Sequence, residues 1–220
     1  RSRCGNCRPR TWASTPTERE IGGDVATLKA LRERWTPHLL TETNARIERE
    51  GRTSRTLAPS PFGLTEAGLD DYRGFFLSAP LKRMNLVDVD LSNLTCVWAG
   101  NMVDCTGQGL VLTGANFSGR FLGQQFTDCD FSRAALVHTP LGETSFTDCR
   151  FTKANLRTAM AQGATFVRCF SGADLRTATL FRVTFEGCTF EGANLLHASI
   201  AGSRLVDCTF APGAWDRSIV

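Results

Sequence analysis

The sequence of 220 residues lacks the long apolar runs and the excess of one charge that would indicate several common classes of protein. No stretch approaches the roughly 20 apolar residues that a membrane-spanning helix needs. The formal charge of +3, from 25 basic and 22 acidic residues, is too small to indicate nucleic-acid binding. With 42% hydrophobic and 21% charged residues, the composition is that of an ordinary soluble globular chain.

Sequence motifs for catalysis are also missing. The chain contains no G-x-G-x-x-G string after a strand, no P-loop and no G-x-S-x-G elbow. No pair of histidines converges with carboxylates in the pattern. We therefore expect a non-catalytic protein with no catalytic residues, no cofactor, no metal site and no small-molecule substrate.

Only one tyrosine accompanies 15 phenylalanines, which favours a dry interior filled with aromatic bulk. Nine cysteines are present, and the last six are separated by 24, 20, 20, 19 and 20 residues. Zinc knuckles and small disulfide frameworks do not space single cysteines in this way, whereas an internal repeat does. The surrounding segments read MVDCTGQ from Met102, FTDCDFSRAAL from Phe126, FTDCRFTKANL from Phe146, FVRCFSGADL from Phe166, FEGCTFEGANL from Phe185 and LVDCTF from Leu205.

Within this unit, a large apolar residue recurs at every fifth position, and a small residue often precedes it by two. A period of five fits neither the 3.6 of a helix nor the 2 of a strand, so we expect short extended pieces separated by corners. Four such pieces close a square coil, and consecutive coils would pair about 4.8 Å apart. About five extra residues near 108–112 would account for the 24-residue coil, as an insertion at a surface corner.

The strings ANF at 115–117, ANL at 154–156, ADL at 173–175 and ANL at 193–195 resemble pentapeptide-repeat proteins over about 130 residues. The resemblance implies an all-β solenoid, the right-handed quadrilateral β-helix, with about six to seven coils of about twenty residues. The first coil departs from the pattern, because Met84, Val89 and Leu94 replace small residues.

Before the repeat, helix signals predict a small α-helical N-terminal segment. Residues 15–18 have the form of a capping box, and Val25, Leu28, Leu31 and Trp35 form an apolar stripe. Thr36-Pro37 opens a second helix that Gly51 would close, and a third helix could start after Thr65, with Leu69, Tyr72 and Phe76 on one side.

We therefore divide the chain into four parts. They are an Arg-rich arm at 1–14, a helical cap and linker at 15–80, the β-helix at 81–210 and a C-terminal cap or tail at 211–220. A stacked solenoid needs a cover at each end, and Trp35, Phe75 and Phe76 are candidates to contact the first coil.

Six of the cysteines, from Cys105 to Cys208, are predicted to form a buried file that acts as small hydrophobic packing. Cys4 and Cys7 have C-x-x-C spacing, and two alternatives remain for them: an incidental pair, or half of a metal site completed by a partner. His138 and His197 share a solvated column three coils apart. Asp104, Asp128, Asp148 and Asp207 are predicted to form another column, interrupted by Arg168, in which each Asp hydrogen-bonds its own backbone.

These features predict a rigid scaffold that binds protein, as a subunit or accessory of a larger assembly. A homodimer through a solenoid end is a second possibility for its partner. The alternative, implied by the resemblance, is a DNA mimic that modulates a type II topoisomerase. The repeat argues against mimicry, because residues 81–220 carry 12 basic and 12 acidic residues. The cysteines are predicted to be reduced, which favours a cytosolic or organellar, stroma- or matrix-like compartment. The Arg-rich arm at 1–14 is similar to a processed targeting segment.

Overall fold

The computed structural model describes residues 25–53, 55–78, 81–96, 102–119, 124–170 and 172–212. Its two helices are α1 (Val25–Glu33) and α2 (Pro37–Thr53). The strands of the described residues are β1 (Asp70–Asp71), β2 (Phe76–Leu77), β3 (Leu81–Lys82), β4 (Asn85–Val87), β5 (Val89–Asp90), β6 (Thr95–Cys96), β7 (Met102–Val103), β8 (Thr106–Gln108), β9 (Gln125–Thr127), β10 (Ser145–Thr147), β11 (Thr165–Val167), β12 (Thr184–Glu186), β13 (Thr189–Phe190), β14 (Arg204–Val206) and β15 (Thr209–Phe210).

Helix α2 begins where local chemistry favours a helix start. Thr36 caps α2, since its Oγ1 accepts a hydrogen bond from the Leu39 amide at 3.3 Å and Pro37 occupies the first helical position. The predicted second helix is thus confirmed, although it ends two residues beyond Gly51. The capping box at 15–18 lies outside the described residues.

The predicted third helix is wrong. Residues 65–78 form turns and the two short strands β1 and β2, which pair in parallel with β5 and β6. Leu69, Tyr72 and Leu77 are buried, and Tyr72 and Leu77 belong to the solenoid core and not to one side of a helix. Spacings of three to five residues fit both a helix and a five-residue repeat, and cross-strand hydrogen bonds decide for the repeat here. Paired parallel strands therefore begin at Asp70, eleven residues before the predicted start of the β-helix at Leu81, and a single parallel bridge joins Thr56 to Asn85 before them.

Each turn of the chain contributes to four parallel ladders, which define four faces. Face 1 is the seven-stranded sheet β4-β8-β9-β10-β11-β12-β14, so it spans six turns. Face 2 runs through the bridges Asp90–Val111–Asp130–Arg150. Face 3 runs through Asn116–Ala135–Asn155–Asp174–Asn194, and face 4 through Pro140–Met160–Thr179–Ser199. The described chain is thus a four-sided β-solenoid, with strands too short to form a conventional sheet core.

The lumen of the solenoid is filled by stacked rings. On face 1, Phe146 stacks on Phe126 at 5.5 Å and on Phe166 at 5.0 Å between ring centroids. On face 2, Phe131 and Phe151 stack at 5.1 Å, and rings of the two faces meet edge to face. All of these side chains are at most 1% exposed, which confirms the prediction of a dry core lined at every fifth position.

Corners between faces place non-glycine residues in the left-handed backbone region. Asp128, Asp148 and Arg168 have φ values of 53°, 55° and 51° at equivalent corners of face 1. Glycine takes the same place at position 109, with φ of 63°, and at position 187, with φ of 59°. Asp, Asn and Gly tolerate this conformation best, which explains why Asp and Gly recur at the corner that follows face 1.

The repeat that contains Met102 is out of phase with the prediction. Gly107, and not Met102, pairs with Phe126, while Met102 pairs with Leu81 on face 4. No insertion lies near residues 108–112, because Gly107 and Phe126 are 19 residues apart. Gly107 occupies the position of a large residue, and the large Leu110 occupies the position of a small one. A Cβ on Gly107 would lie 2.7 Å from both the Leu110 Cδ1 and the Phe126 Cδ1 atoms. Leu110 and Phe126 thus fill the space that a large residue at 107 would take.

Candidate interaction surfaces

The helices are attached to the first turn through a buried carboxylate. Arg34 donates two hydrogen bonds of 2.7 Å to the two oxygens of Asp71, and Arg73 donates two of 2.9 Å. Burial alone would raise the pKa of Asp71, but the hydrogen bonds from the two guanidinium groups hold it well below its ordinary value. The carboxylate is thus a fully ionised structural anchor, which sequence analysis missed because no motif links residues 37 positions apart.

An aromatic cluster covers the first turn beside this anchor. Trp35, which is 3% exposed, packs against Phe75 at 4.6 Å and Tyr72 at 5.9 Å between ring centroids, and its Nε1 donates to the Arg73 carbonyl at 2.9 Å. Phe76 is half-buried on the outer side, with the Arg32 guanidinium 5.5 Å from its ring. The predicted contacts of Trp35 and Phe75 are therefore present, and Phe76 contacts α1 from outside the core.

The cysteine file is shorter than predicted. Its members are Cys129, Cys149, Cys169, Cys188 and Cys208, and the thiols of the last four each donate to a phenylalanine carbonyl one turn earlier. Cys105 does not belong to the file, because the phase of its repeat places it two residues before Gly107, the position equivalent to Thr144 and Ala164 on face 1. Burial raises the pKa of Cys188 to about 12 and of Cys105 to about 11, and all the described cysteines are free thiols.

The histidine column is present, while the aspartate column differs from the prediction. His138, Thr158, Thr177 and His197 occupy equivalent exposed corners, and Thr158 Oγ1 lies 2.8 Å from His138 Nδ1. The column that contains Asp128 and Asp148 runs Asp88, Gly109, Asp128, Asp148, Arg168, Gly187 and Asp207. Asp104 is absent from it for the same reason of phase as Cys105.

Two of the predicted aspartates, Asp104 and Asp148, bond side chains one turn away, whereas bonds to their own backbone were predicted. Asp148 accepts a bidentate pair from Arg168, at 2.5 and 2.6 Å, and Asp104 accepts from Gln124 Nε2 at 3.0 Å. Bonds to the local backbone are made instead by the residue just before the large one. Asp130 and Asn155 each accept a hydrogen bond from the backbone amide two residues further along the chain.

No catalytic or metal-binding arrangement occurs among the described residues. They contain no group of three or more His, Cys, Asp or Glu side chains that could hold a metal ion. The enclosed space between the first turn and α2 measures only about 10 Å³ and is lined by Ile47, Tyr72, Phe75 and neighbouring leucines. A groove of about 390 Å³ between α2 and Phe76 is wide open to solvent. Cys4 and Cys7 lie outside the described residues.

Neither α1 nor α2 is long and apolar enough to cross a membrane, and the described chain has no other helix.

Two surface regions are candidates for contacts with a partner. The first, here called the basic edge, spans the outer sides of faces 2 and 3 with the corner between them, and carries Arg133, Arg150, Lys153, Arg157 and Arg176 on three successive turns. The acidic residues bridged on these two ladders are Asp90, Asp130 and Asp174, and Asp174 pairs with Arg176 at 2.6 Å. The second region is the outer side of face 4, where the outward positions of four turns carry no charge.

Four ladders per turn, a filled lumen and a five-residue alternation of large and small inward residues define a quadrilateral β-solenoid. The profile of pentapeptide repeats matches the chain in eight copies, over residues 125–160 and 169–210. Residues 125–160 and 169–210 of the chain are therefore pentapeptide repeats. The family prediction made from residues 115–195 is thereby confirmed. No curated protein matches the chain significantly in sequence.

Several solved structures of pentapeptide-repeat proteins are similar in fold. Full-length QnrB1, a plasmid-mediated fluoroquinolone resistance protein, is 18% identical with a TM-score of 0.47, covering 64% of this chain and 71% of that chain. HetL from the cyanobacterium Nostoc sp. strain PCC 7120, involved in heterocyst differentiation regulation, is 18% identical with a TM-score of 0.36, covering 63% and 84%. Rfr23 from the cyanobacterium Cyanothece 51142 is 16% identical with a TM-score of 0.22, covering 76% and 99%.

Proposed function

We propose that this protein is a non-catalytic scaffold that binds another protein. The observation that carries this proposal is the filled lumen. Ring stacks such as Phe126–Phe146–Phe166 leave no space for a substrate inside the solenoid, and they hold the outward side chains at a fixed spacing. A rigid array of outward side chains suits recognition of a matching surface, because little side-chain or backbone freedom is lost on binding.

The basic edge is the surface that we assign to this partner. Arg133 and Lys153 occupy successive corners of face 2, so their charges lie about 5 Å apart at the backbone and repel each other in the free protein. An acidic protein surface would relieve that repulsion and speed association through electrostatic steering. Free thiols at all described cysteines support a reducing compartment for the complex.

The test is purification of the tagged chain under native conditions, followed by quantitative cross-linking and identification of stoichiometric partners. The double variant Arg133→Glu/Lys153→Glu is expected to lose the partner and to reduce its association rate more strongly at low salt. Arg204→Glu, an exposed charge reversal on face 1, is the matched control and should retain the partner. A partner lost equally from both variants, or retained by both, would argue against the basic edge.

Modulation of a type II topoisomerase by DNA mimicry is the alternative function. A mimic needs closely spaced negative charges along its length, because carboxylates must stand in for phosphates. The aspartate column is interrupted by glycine at 109 and 187 and by Arg168, which neutralises Asp148. We therefore expect no inhibition and no drug protection in a supercoiling assay with a gyrase. Inhibition at stoichiometric protein would reverse the ranking of the two functions.

A further inference from the structure

The outer side of face 4 is neutral and uneven. Its outward residues, here called the neutral patch, are Pro140 and Gly142, Met160 and Gln162, Thr179 and Phe181, and Ser199 and Ala201, one pair for each turn. Met160 is 50% exposed although it is a large hydrophobic residue, and Phe181 is half-buried. The patch thus combines two protruding apolar side chains with glycine and alanine positions that leave hollows.

A column of alternating composition borders the neutral patch. Glu143, Gly163, Arg182 and Gly202 occupy its equivalent corners, with φ values of 57°, 70°, 53° and 68°. Glu143 and Arg182 are two turns apart, about 10 Å at the backbone, with Gly163 on the turn between them. Among the described residues, Glu143 and Arg182 form no salt bridge within the chain, whereas Asp148 and Arg168 on face 1 satisfy each other.

We propose that the neutral patch binds a second copy of this chain, with the two solenoid axes antiparallel. The two-fold axis would pass through the turn of Met160 and Gln162. The turn of Leu141 in one copy then lies opposite the turn of Leu180 in the other. This arrangement places each Glu143 beside Arg182 of the second copy, and each Phe181 over the hollow at Gly142. It goes beyond the proposed function, since it uses a different face and a different partner.

The antiparallel arrangement follows from the positions of Glu143 and Arg182, which lie one turn before and one turn after the turn of Met160. A two-fold axis along the strand direction places the column of Glu143 and Arg182 opposite the same column of the second copy, with the turns in reverse order. Each Glu143 then faces an Arg182, which gives two ion pairs per dimer. With the solenoid axes parallel, Glu143 would instead face the column of His138 and Thr158, and Phe181 would face Thr179. Charge and shape therefore both favour the antiparallel arrangement.

The contact is small, so the dimer should be weak. With the axis through the turn of Met160, three turns of the patch face their copies, and five residues of about 3.3 Å by three turns of about 4.8 Å give a face of about 240 Å². Stable interfaces bury about 800 Å² on each partner, and smaller ones are typical of transient contacts. We expect a dimer that forms at high micromolar concentrations, with rapid exchange.

Sedimentation equilibrium of the full chain tests the proposal directly. Glu143→Arg and Arg182→Glu are each expected to raise the dimer dissociation constant about tenfold, because each places two like charges together. The double variant Glu143→Arg/Arg182→Glu restores both pairs and should return to within about threefold of the natural chain. Arg204→Glu, an exposed charge reversal on face 1, is the control and should leave the constant unchanged.

Cross-linking tests the antiparallel arrangement. A Met160→Cys variant lies beside the two-fold axis, so mild oxidation should link position 160 to position 160 of the second copy, as identified from the joined peptides. Ser145→Cys, at the equivalent place on face 1, should not link to itself. A chain that stays monomeric at millimolar concentration, or a dimer unaffected by charge reversal at 143 and 182, overturns the proposal. A dimer abolished by Leu205→Asp alone indicates contact through the solenoid end and also overturns it.

Discussion

Valine in place of Thr139 and of Thr144 should change the stability of this protein in opposite directions. Both threonines occupy small inward positions of the same turn, and they are 0% and 1% exposed. The Thr139 Oγ1 donates to the Phe117 carbonyl at 3.0 Å. The Thr144 Oγ1 is buried and has no hydrogen-bond partner in the described part of the chain. The two buried threonine hydroxyls thus differ in one respect, because only that of Thr139 makes a hydrogen bond.

The size of each effect follows from that difference. Thr139→Val removes the hydrogen bond and leaves the Phe117 carbonyl without it, which should lower the free energy of unfolding by about 1–3 kcal/mol. Thr144→Val removes a hydroxyl that gains nothing from burial, which should raise the same free energy by about 1–2 kcal/mol. Valine keeps the β-branched shape, so packing contributes little to either change.

Urea unfolding of the full chain, followed by circular dichroism, measures both effects. The comparison is valid where the variants and the natural chain show the same slope of the free energy of unfolding against urea concentration. Solenoids can unfold in parts, and a changed slope would indicate this. Thr139→Ser, which retains the donor, should lose less stability through the hydrogen bond than Thr139→Val. If Thr144→Val destabilises the protein as much as Thr139→Val does, the reasoning about the unpaired hydroxyl is refuted.

Three further predictions concern the anchor, the thiols and the exchanged repeat. Asp71→Asn should lower the free energy of unfolding at neutral pH by about 3 kcal/mol, because it breaks a buried ion pair. Since the folded-state pKa of Asp71 is depressed, its contribution is present above the ordinary value of 3.8 and is lost as the pH falls below it, so the variant should show a flatter acid profile. At pH 8, alkylation of Cys188 should be about a hundredfold slower than that of half-buried Cys208, as read from peptide masses. Gly107→Ala should destabilise the fold by about 1–3 kcal/mol through overpacking, and Leu110→Cys in the same chain should recover part of this loss.

Each of these has an outcome that contradicts it. If the free energy of unfolding falls equally at acid pH in Asp71→Asn and in the natural chain, protonation of the Asp71 carboxylate does not cause the loss. Equal alkylation rates for the two cysteines in the folded protein would show that the thiol file is open to solvent. Additive losses in the Gly107 and Leu110 double variant would show that the two positions do not share one space.

The repeat itself was readable from the sequence because its inward positions are set by local geometry. A large residue at every fifth place and a small one two places earlier, as in Cys149 and Phe151, fix which side chains enter the lumen. Helix α2 was equally readable, because the cap at Thr36 and the proline after it act within one turn of the chain. The column of Glu143, Gly163, Arg182 and Gly202 could also have been found, since each follows a large position by two residues.

What the sequence by itself determined was therefore the class of the fold, the dry core and the kind of residue at each corner, all of which depend on neighbours within five positions. Only the tertiary structure decided the phase of the turn that holds Met102 and Gly107, the parallel pairing of residues before Leu81, and the anchor of Arg34 on Asp71. These features depend on hydrogen bonds between residues about twenty or more positions apart. A sequence pattern cannot choose between competing alignments of equal local quality, whereas cross-strand pairing and shared space in the core can.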